Sequence, residues 1–178
     1  MLTVTLMVAV AQAAAQTPAN PPAPPPPACM APEHRQFDFW VGYWDVYPTG
    51  QDRLVAQGLI EKLYAGCTVR ENWMPLRGTG GGSLNMYDPA DKRWHQTWHD
   101  SSNARAEFDG ALVDGRMVLI GYWPGLVGPG QDGWVRTTWS RNADGSVRQH
   151  GEQSTDHGLT WATSFDFTYR KSESPPPK

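Results

Sequence analysis

The sequence predicts an all-β fold, an antiparallel up-and-down barrel of about eight to ten strands with a short N-terminal helical turn. Three observations carry this. Short alternating segments bounded by turn residues follow one another from Gly42 to Arg170. Nine Trp, six Tyr and five Phe stand beside eighteen Gly, with only 19% charged residues; aromatics suit a pleated, half-buried surface and glycine supplies the turns. No segment after Trp40 keeps a 3.6-residue apolar period. Sequential strands joined by tight turns pair antiparallel, and closure into a barrel removes the exposed edges that an open sheet of this length would carry. A two-sheet sandwich is the alternative arrangement.

In chain order, residues 1–15 (MLTVTLMVAVAQAAA) are apolar and end with Ala13 and Ala15 in the spacing of a signal-peptidase site. They are too short for a bilayer span, which needs about 20 apolar residues, and read as a secretory signal peptide, although no Lys or Arg precedes the apolar core. The chain is therefore expected to be exported, to the periplasm or beyond. Residues 16–32 form a Pro-rich spacer that favours extended polyproline II. One domain follows at 33–171, and residues 172–178 form a disordered tail. Cys29 and Cys67 are the two cysteines, and in an exported chain they invite a disulfide. Such a bridge closes a loop of about 40 residues, worth roughly 3–4 kcal/mol in the chain-entropy model. Two free buried thiols are the alternative.

Within the domain, residues 32–39 hold a turn or two of helix before a first strand opening at Gly42. Further strands are expected over 54–63, 67–74, 83–87, 93–100, 104–109, 116–123, 134–141, 147–154 and 160–170. Asp114-Gly115 and Asp144-Gly145 are hairpin signals between alternating runs, and Asp88-Pro89-Ala90-Asp91 places proline where its fixed φ suits a turn. GTGGG (78–82) is expected as a flexible bend and PGLVGPGQDG (124–133) as a rim loop.

The segment Gly42-Tyr43-Trp44 resembles the Gly-x-Trp signature of lipocalin-like (calycin) barrels. The wider layout of FDFWVGYWDV, GCTVRENW, SLNMYDP, RWHQTWHDSS, VRQHGEQSTDHGLTW and FDFTYRK resembles an uncharacterised family of secreted bacterial lipocalin-like proteins over nearly all of 33–171. The resemblance implies a barrel with a cavity, Trp44 plugging its closed end, and a late-strand cation across the indole. Arg170 is the expected cation, with Lys171 its less suited neighbour. It transfers no catalytic residues. Gly151 departs from the bulky side chain expected at that position, which would widen the interior.

Period-two alternation sorts the faces. Trp94, Gln96 and Trp98 are expected inward, since burying two indoles gains more than burying His95 and His99. Asn85 and Tyr87 are preferred inward over Leu84 and Met86. Val69, Glu71 and Trp73 form another inner face, Val135, Thr137 and Trp139 a third, and Val147 with Gln149 a fourth. Indoles with a few amides, hydroxyls and one carboxylate make a small-molecule pocket, with Trp73, Trp94, Trp98 and Trp139 stacking on a ligand and Asn85, Gln96 and Gln149 orienting it. A filled core whose polar groups satisfy one another is the alternative.

Glu71 is the candidate general acid/base, because burial among indoles raises a carboxyl pKa; Tyr87 is the candidate acid beside it. An ion pair with Arg105 or Arg148 is the competing role for Glu71. His95 and His99 lie about 13 Å apart along a strand, too far to share a metal ion. No metal and no cofactor is expected: nucleophile elbows, P-loops and dinucleotide fingerprints are missing, and no helix follows the Gly-rich segments. A formal charge of −3 gives no footprint for nucleic acid or anionic lipid. The expected partner is thus a small molecule, with no stable membrane insertion and no oligomeric state specified.

Overall fold

The computed structural model describes residues 29–174. Ten strands make a closed antiparallel barrel: β1 (Gly42–Pro48), β2 (Ala56–Leu63), β3 (Thr68–Pro75), β4 (Gly81–Asp88), β5 (Arg93–Asp100), β6 (Arg105–Val113), β7 (Arg116–Gly128), β8 (Gln131–Arg141), β9 (Val147–Ser154) and β10 (Ala162–Lys171). Each strand pairs with its sequence neighbours, and β1 closes the ring against β10 with Trp44 opposite Lys171. None of the described helices is long and apolar enough to cross a membrane. The expected signal peptide, most of the Pro-rich spacer and the end of the tail lie outside the described residues.

Two 3-10 turns, Pro32–Arg35 and Asp38–Trp40, enter the barrel from below. Phe37 and Trp40 are fully buried and stack at 4.9 Å; Phe37 also meets the edges of Trp94 and Trp139. Trp44 is buried above them and donates its indole N–H to the Trp40 carbonyl at 2.8 Å. Trp94 donates to the Gln36 side chain at 3.0 Å, so the entering segment is tied to the wall as well as packed on it. The Cys29–Cys67 disulfide pins this segment to the start of β3, with Cα atoms 5.0 Å apart.

The cation over the Trp44 ring is Lys171, its Nζ 4.1 Å from the centroid. Arg170, the residue expected there, lies over Tyr47 on the outer surface and pairs with Asp52. Alternation explains the correction: Tyr169 is the inward residue of β10, and only the last residue of the strand reaches round the barrel's lower rim. Gly42 makes this possible. Its φ of +151° admits few side chains, and a Cβ there would collide with the Lys171 ammonium.

Three further expectations are revised. GTGGG is not simply a bend, because Gly81 and Gly82 open β4; a Cβ on either would strike the backbone of the facing strand, so glycine permits close approach. PGLVGPGQDG is an extended hairpin, with β7 running to Gly128, a shifted register after Trp123, and β8 starting at Gln131. Gly151 does not widen the interior, because the Phe165 ring lies against it and fills the space a Cβ would need.

Candidate functional site

Side chains inside the barrel fall into three storeys. The lowest is the aromatic plug of Phe37, Trp40, Trp44, Trp94 and Trp139. The middle is a polar belt, and the highest is an aromatic mouth. A cavity of about 210 Å³ lies between belt and mouth. Its polar lining is Glu71, Gln96, Thr137 and Gln149; its walls are Trp73, Trp98, Phe108, Trp123, Phe165 and Phe167, with Val135.

The belt is a directed chain of hydrogen bonds across three neighbouring strands. Gln96 donates to the Asn85 side-chain oxygen at 2.7 Å, Asn85 donates to the Ser83 hydroxyl at 2.9 Å, and Ser83 donates to Glu71 Oε2 at 2.8 Å. Asn85 also donates to the Val69 carbonyl at 3.0 Å. The register makes this possible, since Glu71 sits opposite Ser83 and Asn85 opposite Gln96. Across the barrel Tyr169 donates its hydroxyl to Gln149 Oε1 at 2.5 Å, leaving the Gln149 amide N–H groups for the cavity.

Glu71 is 5% exposed, and burial raises its pKa to about 7, the Ser83 hydrogen bond pulling partly the other way. Neither arginine weighed as its partner reaches it: Arg105 pairs with Glu107 and Arg148 with Asp166, both on the outside. Burial, then the charge of Glu71, pushes the Tyr169 phenol well above its ordinary range.

The walls depend on cross-strand glycines. Gly151 faces Phe165 and Gly121 faces Phe108, and a Cβ on either glycine would lie under 3.0 Å from the partner's ring. These rings therefore fill the space over the two glycines, and both line the cavity. Phe167 stacks beside Phe165 at 5.4 Å and packs against Trp73 at 5.5 Å.

No family model matches the chain, and no curated protein matches it.

The structure brings Glu71, Trp73, Gln96, Trp98 and Gln149 together around the cavity. Asn85 is fully buried beneath it, a link in the belt with no surface toward a ligand. Trp94 and Trp139 face inward but belong to the plug, each 1% exposed and packed on Phe37. Tyr87 lies with them, edge-on to His34 at 5.3 Å and beside Trp94, and it neither lines the cavity nor bonds to Glu71. The proposed acid/base pair of Glu71 and Tyr87 is thus not assembled. Phe108, Trp123, Phe165 and Phe167 are not reached by the sequence reading, and Ser83, which alternation puts on the face of Asn85 and Tyr87, has no role there; the alternation of FDFTY is the available signal for the two β10 rings.

Outside the barrel, Asp88, Asp91 and His95 offer ligand atoms within 4.8 Å of one another. Their bonding is already local. Asp88 accepts from the Ala90 N–H, Asp91 accepts from the Arg93 N–H, and His95 sits between Asp91 at 3.0 Å and Asp109 at 2.6 Å. This is a turn fastened to the neighbouring strand.

Proposed function

We propose that the chain is an exported, lipocalin-like small-molecule-binding barrel whose cavity takes a compact aromatic or amphipathic ligand. The supporting observation is the cavity itself: about 210 Å³, aromatic on its sides and polar only at its floor. Ligand pockets are built this way, with apolar walls for affinity and a few polar groups for orientation. The volume sets the ligand's size. An apolar cavity of about 150 Å³ holds one benzene, so this one suits a single ring with a short substituent. Trp73 and Trp98 stack on its body, while Gln96 and Gln149 orient its polar end. The disulfide and the apolar first fifteen residues favour an oxidising compartment outside the cytoplasm.

Titration of the protein with one-ring and two-ring aromatic compounds, followed by tryptophan fluorescence, tests the proposal. One-ring compounds should quench saturably and two-ring compounds weakly. Trp98→Ala should lose at least tenfold in affinity, while Trp161→Phe, outside the cavity, should change nothing. Absence of saturable binding across the panel overturns the proposal.

One observation favours a second reading, a cofactor-independent lyase, isomerase or cyclase. Glu71, with a pKa of about 7, suits proton abstraction and return at neutral pH. Glu71→Gln should then abolish turnover of an uncharged bound compound without weakening its binding more than a few-fold; equal turnover rejects catalysis.

A further inference from the structure

The charge a ligand carries into this cavity is set by what already faces it. Glu71 is the one acidic group among the lining residues, and no Lys, Arg or His lines the cavity with it. Glu71 Oε2 accepts from Ser83, and among the described residues Oε1 accepts nothing. Building on the small-molecule reading above, we propose that the cavity selects an organic monocation, a protonated amine or quaternary ammonium on a compact apolar body, with its nitrogen held between Glu71 and the aromatic walls.

Three features support this. Aromatic faces carry negative quadrupolar potential and attract a cation best where water is excluded. Phe165 and Phe108 pack over Gly151 and Gly121 and line the cavity with Trp73, Trp98, Trp123 and Phe167, so six aromatic rings surround the place a cation would take. The carboxylate supplies the counter-charge a partly buried cation requires, because a buried ion without a partner is strongly disfavoured. Finally, Gln96 spends an N–H on Asn85 and keeps its carbonyl oxygen free of hydrogen bonds among the described residues, an acceptor suited to an ammonium N–H. An anionic ligand meets the opposite situation, a carboxylate with no neighbouring cation.

Binding also becomes a proton exchange. Below about pH 7 burial keeps the carboxyl of the empty protein neutral, and there the arriving cation replaces the proton. Around Glu71 are Ile60 from β2 and Ser83 from β4 opposite it, Asn85 bonded to Ser83, Gln96 from β5, Thr137 from β8 and Gln149 from β9 lining the same cavity, and Tyr169 from β10. Of these only Tyr169 titrates, and far above neutrality. Arg70 and Glu61 pair with each other on the outer face.

The test uses phenyltrimethylammonium, whose charge is fixed at every pH, its neutral isostere tert-butylbenzene, and benzoate, by calorimetry at pH 8.5 and 5.5. The cation should bind at least tenfold tighter than tert-butylbenzene at pH 8.5. Its affinity should fall about 30-fold at pH 5.5, the change in the ionised fraction of a carboxyl titrating near 7. In Glu71→Gln both the preference and the pH dependence should vanish. Should that variant fail to fold, the wild-type pH series decides alone. Equal or tighter binding of tert-butylbenzene or benzoate at pH 8.5 overturns the cation proposal and leaves the small-molecule cavity standing. Failure of all three to bind counts against the cavity reading itself.

Discussion

Stability measured against pH should carry the signature of the buried Glu71 carboxyl. Its pKa rises from 4.5 to about 7 on folding, so between those values the native state holds a proton that the unfolded chain has lost. Stability must then fall as pH rises through this window. A shift of this size at about 1.4 kcal/mol per pH unit gives roughly 2–3 kcal/mol lost between pH 5 and pH 8. Other groups move in the same experiment. Asp100, Asp144, Asp156 and Asp166 are shifted down, Asp156 to about 2, so their contributions are complete before the window opens, and that of Glu152, also shifted down, is nearly complete by pH 5. His95 overlaps it: desolvation lowers its pKa, but the hydrogen bonds to Asp109 and Asp91 together with the charges of both carboxylates raise it overall. Subtracting Glu71→Gln from wild type removes that contribution. Urea unfolding at pH 5 and pH 8 for both proteins should show wild type losing roughly 2–3 kcal/mol more than the variant. Parallel pH profiles would refute the reasoning, because Glu71 would then ionise as it does in the unfolded chain.

Two further outcomes follow from the packing. Gly151→Ala drives a methyl into the Phe165 ring and should cost about 1–3 kcal/mol in chemical unfolding, while reducing affinity for any one-ring ligand as the ring is pushed into the cavity. Lys171→Met should cost about 0.5–1 kcal/mol and change Trp44 fluorescence, whereas Arg170→Met should leave that fluorescence unaltered.

The architecture and the inward faces could be read from period-two alternation because one rule governs every strand. RWHQTWHD buries Trp94 and Gln96 and turns His95 and His99 outward, as alternation and indole burial require. Height along the barrel could not be read in the same way. Trp94 and Trp98 share a face four residues apart, yet one is plug and the other is wall. The difference comes from strand stagger around the ring and from how far the 3-10 segment carrying Phe37 and Trp40 rises into the barrel, neither of which is written in a single strand. The same ambiguity places Trp94 and Trp139 on the ligand and Tyr87 beside Glu71 in the sequence reading. Ser83 shares the face of Asn85 and Tyr87 by alternation, but its role stays hidden until its cross-strand partner is known to be Glu71.

Nine of the ten ladders join strands adjacent in sequence; the tenth joins β1 to β10 across the whole domain. Local hairpins can therefore form early, while the seam must wait for loop closure over the full chain. That last strand brings Phe165, Phe167 and Tyr169. Until the seam zips, Phe167 and Tyr169 of β10 are not held against Trp73 of β3, so a ligand touching both strands would act as a latch on this junction. Occupancy would be felt first as slower opening of β10, in its amide exchange, before any change in the plug at the far end.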